Sequence, residues 1–402
     1  MEVKPCRWLT IAFAQKAEEL PLLADFDRIH VRMPDLTEAD MDVLLSAIPE
    51  DTLSRIVLHN HHALALKHRV HGVHINSHNP KAPEGVAAVS RACHSLDELK
   101  AHTDNYEYLT LSPIFDSISK RGYKSAFVPE DISDNLPAGK TIALGGVRPD
   151  DFFRLRRVGF AGAALMGYLT TATGNCDLPH INRALLYGRL VNAFPLLLIT
   201  DAPDVDTTIS QAVAAYAGGC RWVQVRMKEG DTQQRADAAS EIMRRCPDMF
   251  VSIDDDAAAV KLAGAHGLHL GKNDISTAMA RTIVGEDVII GRTANTATDA
   301  LAIAREGAAD YFGIGPMRYT TTKKNLAPTL GTDGYRRIIR ELREADIHIP
   351  VIAIGGITCD DVSELFEAGV DGIAVSGAIN RAAIPEEAAK LFTTATSTAI
   401  SK

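Results

Sequence analysis

Residues 351–379 read VIAIGGITCDDVSELFEAGVDGIAVSGAI. A short β-branched run ends in a glycine pair, a helical stretch follows, and a second apolar run ends in Ser376-Gly377. Runs this short and this uniformly apolar suit parallel strands buried on both faces. Working back towards Phe194, comparable runs occur at Leu196–Thr200, Trp222–Met227, Met249–Asp254, Gly267–Gly271, Val288–Thr293 and Tyr311–Gly315. With Val351–Gly355 and Gly372–Ser376 they make eight strands alternating with helical segments. That order predicts an α/β fold of the (β/α)8 barrel type. The doubly wound alternative lacks its GxGxxG after the first strand.

The first half repeats the pattern. RIHVRM at 28–33 parallels RWVQVRM at 221–227, and GVHIN at 72–76 parallels GLHLG at 267–271. TIALGGV at 141–147 parallels VIAIGGI at 351–357, and GAALMGY at 162–168 parallels GIAVSGA at 372–378. Matches in the same order point to a duplication, hence two tandem (β/α)8 TIM barrels, residues 1–190 and 191–402. The seam is expected near Asp177–Ala193, where a polar stretch leads into HINRALLYGRL.

A chain of 402 residues accommodates two such cores. Its net charge of -9 and lack of a basic stripe argue against a nucleic-acid partner. No apolar run is long enough for a membrane helix, and no secretory signal pattern opens the chain. The six cysteines are scattered without metal-ligand spacing, so they are expected to be reduced thiols of a cytoplasmic protein.

In this fold chemistry gathers at the C-terminal ends of the strands, and unusual residues of the second half fall there. Alternation places Gln224, Arg226 and Lys228 on one side of the chain after the second strand. Asp254-Asp255-Asp256 follows the third strand, and His269 and Asp274 lie at the end of the fourth. Carboxylates on adjacent strand ends suit a shared Mg2+, although a run of three aspartates equally suits a helix cap. Thr320, Thr322 and Lys323 in GPMRYTTTKK read as a phosphate cradle or as a polar loop. Gly355-Gly356 and Ser376-Gly377 would let backbone amides approach a phosphate.

Taken together, LLLITD at 196–201, VQVRMKE at 223–229, GLHLGKND at 267–274, GIGPMRYTTTKK at 313–324, VIAIGGIT at 351–358 and DGIAVSGAI at 371–379 resemble thiamine phosphate synthase. The resemblance implies coupling of hydroxymethylpyrimidine diphosphate with thiazole phosphate and loss of pyrophosphate. It implies that Asp255 and Asp274 hold Mg2+ on the diphosphate, with Arg226, Lys228 and Lys323 as further cations. Gln224, Asp254, His269 and Thr293 would line the substrate pocket. Thr320, Thr322, Gly356, Ser376 and Gly377 would hold the thiazole phosphate. The family usually has Asn at position 254, Gln at 272 and Ser at 377, so this chain departs there. A homo-oligomer is compatible with the resemblance.

The first half lacks the acids. His59-Asn60-His61-His62 stands where the aspartate run is expected, Asn76-Ser77-His78-Asn79 where Asp274 is expected, and Pro34 in place of Lys228. His59, His61, His62, His74 and His78 suggest zinc or merely a polar pocket lining. Arg32, Gly145-Gly146, Met166-Gly167 and Ser112–Lys120 preserve parts of the second-half pattern. His94, within SRACHS, resembles the proton-moving histidine of thiazole tautomerases. The reading is a duplicated or bifunctional thiamine-biosynthesis enzyme whose first barrel is a tautomerase or a scaffold. The rivals are a sugar-phosphate isomerase barrel and a non-catalytic sensor of thiazole or thiamine phosphates.

Overall fold

The computed structural model describes residues 7–118, 122, 124–125, 127–319 and 328–400. The described chain divides into two compact units, residues 7–188 and 189–400. The division falls inside the helix Leu178–Ala193.

Each unit is a closed barrel of eight parallel strands. The first comprises β1 (Leu9–Ala14), β2 (Arg28–Val31), β3 (Ile56–Leu58), β4 (Gly72–Ile75), β5 (Ala88–Cys93), β6 (Tyr108–Leu111), β7 (Thr141–Leu144) and β8 (Gly162–Leu165). The second comprises β9 (Leu196–Ile199), β10 (Trp222–Val225), β11 (Phe250–Asp254), β12 (Gly267–Leu270), β13 (Ile289–Ala294), β14 (Tyr311–Ile314), β15 (Val351–Ile354) and β16 (Gly372–Val375). All eight strands expected in the second half are present; six stop a residue or two early at the C-terminal end, while Phe250–Asp254 and Ile289–Ala294 begin one residue later than expected and the latter runs one residue further. The residues trimmed at the C-terminal ends are those whose backbone turns away into the functional loops.

The barrels differ in their outer layer. In the second, an α-helix follows every strand, and most are capped by side chains that accept from the N3 amide: Asp204 from Thr207, Asp231 from Gln234, Ser276 from Met279 and Thr296 from Asp299. The helix Gly331–Glu344 buries Tyr335, Ile338, Ile339 and Leu342 along one stripe. In the first barrel, 3-10 helices replace α-helices at Ala17–Leu23 and Pro129–Asn135, and no helix joins β4 to β5.

The N-terminal end of the second barrel is closed by aromatic side chains. Trp222 packs against Phe194, Tyr311 and Phe250 with ring centroids 5.2, 5.1 and 5.6 Å away. Its indole N–H donates to Ser252 Oγ at 3.1 Å, satisfying the one polar atom that burial would otherwise orphan. The barrel is therefore a packed core at one end and open to chemistry only at the other.

Register makes the two mouths comparable. Val57 pairs with Gly72 and Leu58 with Val73, as Ser252 pairs with Gly267 and Ile253 with Leu268. His59 thus stands at the level of Asp254, and His74 at that of His269. The parallel of RIHVRM with RWVQVRM sets His30 opposite Gln224 in the same scheme.

Candidate active site

A cavity of about 1080 Å³ opens at the C-terminal ends of the second barrel's strands. It is lined by Gln224, Arg226, Lys228, Asp254, Asp255, His269, Asp274, Thr293, Gly356, Ser376 and Gly377 among others. Residues scattered over more than 150 positions of sequence meet here because parallel strands deliver their ends to one rim. Thr320, Thr322 and Lys323 lie outside the described residues, as do Ser119 and Lys120 of the corresponding first-half segment.

The three consecutive aspartates divide their roles. Asp256 caps the helix Ala257–Ala263, accepting from Ala259 N at 2.9 Å, and also pairs with Arg235 at 3.1 Å. Asp254 accepts from Gln224 Nε2 at 2.6 Å and from Arg226 Nε at 3.0 Å. It therefore fixes the two residues beside it on the cavity wall. Asp255 is turned towards Asp274 by a left-handed backbone, φ 63°. That conformation is uncommon for a non-glycine residue and concentrates at functional sites.

Asp274 is folded back on its own loop, with Oδ2 accepting from Gly271 N at 2.6 Å. Gly271 lies against both carboxyls: a Cβ there would stand 3.0 Å from Asp274 Oδ2, close enough that this carboxylate would have to give, and 3.9 Å from Asp255 Oδ1. The two carboxyls therefore flank one point of backbone. Partial desolvation, then the charge of Asp254, then the hydrogen bond and charge of Asp274 push the Asp255 carboxyl up to about 7. Like charges held together in this way favour a proton or a cation between them. Oxygen donors of this number and kind fit a hard divalent ion that keeps part of its shell for water or phosphate oxygens.

The rest of the rim is polar and close-fitting. His269 is held between Thr293 Oγ1 and Tyr311 OH, each at 3.0 Å. Gly355 and Gly356 have φ of 99° and 70°. A Cβ on Gly355 would come within 2.7 Å of Pro316 Cβ, so only glycine lets the two loops pass. Arg318 bridges Asp361 by a bidentate ion pair, anchoring the start of the threonine loop. A side chain at Gly377 would meet Arg381 at an ordinary 3.5 Å, so the departure from Ser there is not imposed by space. Lys272 pairs with Asp299 at 2.6 Å on the outer edge.

Some cavity residues were not expected from sequence. Asn295 donates to Gly315 O, and Arg381 pairs with Asp201 at 3.1 Å across the join between β16 and β9. Asp201 closes the LLLITD segment, but its partner lies about 180 residues away and only barrel closure reveals it.

In the first barrel, His94 Nδ1 faces Ser112 O at 3.1 Å and Ser112 Oγ at 3.3 Å, and its amide donates to Glu98 Oε2. Gly145 and Gly146 have φ of 92° and 70°, and a Cβ on Gly145 would lie 2.8 Å from Pro113 Cα. The glycine crossing is thus the same in both barrels, whereas the acid pair is not. His61 and His78 turn away from any shared site: His61 Nε2 meets Leu36 O at 2.8 Å, and His78 is exposed.

Two closed parallel barrels with polar side chains gathered at the strand ends define the (β/α)8 class. Comparison with known proteins narrows it. The thiamine monophosphate synthase family model matches residues 15–169 and again 196–379, and the chain belongs to that family, carrying its domain twice. A thiamine-phosphate synthase of Phocaeicola vulgatus is 46% identical over 192 residues, which cover 47% of this chain and 92% of that protein. One from Bacteroides thetaiotaomicron is 45% identical over 192 residues, covering 47% and 91%. A solved thiamine phosphate pyrophosphorylase from Pyrococcus furiosus superposes with a TM-score of 0.45 at 28% identity, covering 52% of this chain and 98% of that one.

Proposed function

We propose that the second barrel is a thiamine phosphate synthase. It joins hydroxymethylpyrimidine diphosphate to thiazole phosphate. The bond between the pyrimidine methylene and the diphosphate oxygen breaks, the oxygen leaving with the electron pair. The thiazole nitrogen then forms the new bond to the methylene. The observation that carries this reading is the convergence of an acid pair, Asp255 and Asp274, with Arg226 and Lys228 on one cavity. The names of the relatives support it.

Asp255 and Asp274 would hold Mg2+, which neutralises charge on a departing diphosphate. Arg226 and Lys228 supply fixed positive charge to the same oxygens. Arg226 is held ready by Asp254 and by its own amide, which donates to Thr200 Oγ1 at 2.8 Å. Gln224 and His269 orient the pyrimidine, Thr293 fixes the His269 ring, and Lys323 adds a cation from its loop. Thr320, Thr322, Ser376 and the amides of Gly356 and Gly377 hold the thiazole phosphate. The work is positioning and charge stabilisation, so no dedicated base is needed. Incubating the full chain with both substrates and Mg2+ tests the reading. Pyrophosphate and thiamine phosphate should appear in equal amounts; ligand binding without pyrophosphate would make the chain a sensor instead.

For the first barrel we propose thiazole tautomerase activity, with His94 moving the proton under the hold of Ser112. The pairing of His94 with Ser112 favours this over a bare scaffold. The two barrels would then act on successive forms of one small phosphorylated ring.

A further inference from the structure

The first barrel contains a cluster that neither reading above uses. His30 from β2, His59 just beyond β3 and His74 from β4 meet in its interior, all three buried. One ring nitrogen from each lies within 4.8 Å of the others. The rings are in mutual contact, with centroids 5.1 Å apart for His30 and His59, 5.0 Å for His30 and His74, and 4.4 Å for His59 and His74. His30 carries no signal in the sequence, because a histidine in mid-strand looks like any core position until its neighbours are known.

We propose that His30, His59 and His74 form a binding site for a borderline divalent transition-metal ion of the Zn2+ type. The outer nitrogens of two ligands are already held: His30 Nε2 by Tyr108 OH at 2.6 Å and His74 Nδ1 by Ser90 Oγ at 2.8 Å. Metal-bound imidazoles are oriented by such hydroxyl or carbonyl partners. The inner nitrogens, His30 Nδ1 and His59 Nε2, stand 2.9 Å apart. Tetrahedral zinc with bonds of about 2.0–2.1 Å places two ligand nitrogens roughly 3.4 Å apart, so an ion would replace the His30–His59 hydrogen bond with a shift of about half an ångström in that pair, and His74 Nε2 has to close in from within the 4.8 Å that bounds the set. Burial, with lesser contributions from neighbouring positive charge, holds all three rings well below ordinary histidine basicity. They are therefore neutral near pH 7, the form that ligates.

Two further observations separate this from a merely satisfied polar core. His62 is buried, its Nε2 has no hydrogen-bond partner, and it is near enough to His59 and His74 to disfavour protons on both. His62 lies outside the set of nitrogens that could share one ion, so its unsatisfied nitrogen marks a polar surplus beside the cluster rather than a fourth ligand. In addition, the three ligands stand at the positions of Gln224, Asp254 and His269, which face the cavity of the second barrel. The first barrel thus carries three imidazoles where the second carries an amide, a carboxylate and one imidazole, and imidazole suits zinc better than magnesium.

The test uses the full chain, stripped with a chelator and titrated with Zn2+ against a chromophoric competitor, and in parallel with Co2+ for its visible spectrum. One equivalent of tightly bound Zn2+ is expected, with an intense low-symmetry Co2+ spectrum. His59→Ala should weaken Zn2+ binding by at least about 100-fold, since even outer partners of ligands are worth 10–100-fold. His30→Gln, which installs the side chain of the second barrel, keeps hydrogen bonding and guards against a folding artefact. Pyrophosphate release by the second barrel should survive both changes. The Asp255→Asn/Asp274→Asn double variant should retain the Zn2+. Failure of the wild type to bind, undiminished binding by His59→Ala or His30→Gln, loss of Zn2+ in the aspartate variant, or a pale octahedral Co2+ spectrum would each overturn the site.

Discussion

The two barrels share a backbone plan and differ in what hangs from it. Both cross the same glycine pair over a proline, Gly145-Gly146 over Pro113 and Gly355-Gly356 over Pro316, with positive φ at all four glycines. Along the second to fourth strands the second barrel presents Gln224, Asp254 and His269 where the first presents His30, His59 and His74, and just beyond them the second alone adds Asp255 and Asp274. Strand register guarantees that equivalent positions face equivalent space, so duplication can exchange the chemistry of a mouth without disturbing the barrel. Scaffold residues are constrained by sterics that both copies must obey. Wall residues answer only to a ligand, and so they diverge.

The sharpest way to break this contrast is to remove the acid pair. Asp274→Ala should lower pyrophosphate release by about 10³-fold or more, the scale of lost metal and electrostatic stabilisation. Its melting temperature should remain near that of the parent. Full turnover at saturating Mg2+ would show that the acids do not define the second mouth. In the first barrel, His94→Ala should slow thiazole aromatisation by about 10²-fold, a usual contribution of acid–base catalysis. Coupling by the other barrel should be unaffected, and a chain whose aromatisation is absent before and after the change would leave the first barrel a scaffold.

A smaller effect probes the shared scaffold. Gly145→Ala and Gly355→Ala should each destabilise their own barrel by about 1–3 kcal/mol, from positive φ and a close backbone approach. Denaturant unfolding should show similar losses for the two; a marked asymmetry would mean that the crossings are not equivalent. The smallest expected effect concerns one histidine pair. His71 meets Glu107 Oε2 at 2.9 Å, whereas the equivalent His266 faces Arg189 at 3.2 Å. Burial, then Arg189, lowers His266 to about 4. The unfolded chain therefore takes up a proton that the folded one refuses as pH falls from about 6.5 towards 4, and stability drops across that window. His266→Asn should remove this part of the slope, a matter of a few degrees in melting temperature.

Much of the candidate site was legible because barrel strands carry their functional residues at one end. Arg226, Lys228, the aspartate run, Asp274 and the glycine pair could be placed from strand ends alone, while Asp255 with Asp274 as an acid pair was implied only by the family resemblance. The roles of the aspartate run could not. Cap, wall and cavity functions went to Asp256, Asp254 and Asp255 because a left-handed turn at Asp255 rotates successive side chains apart. The Asp201–Arg381 pair joins the first and last strands of the second barrel, and nothing local announces it. His30 escaped for the same reason, since its partners come from three other strands. Among the described residues no helix is long and apolar enough to cross a membrane, and Cys93, Cys176, Cys220, Cys246 and Cys359 are free thiols.

By itself the sequence determined the alternation of strand and helix, the duplication, and which strand ends carry charge. These follow from hydrophobic periodicity and steric demands that act over a few residues. Only the closed barrels decided which of those ends share a cavity, which aspartates face one another, and that three histidines from separate strands touch. Such encounters depend on register and closure, which are properties of the whole sheet and of no single segment.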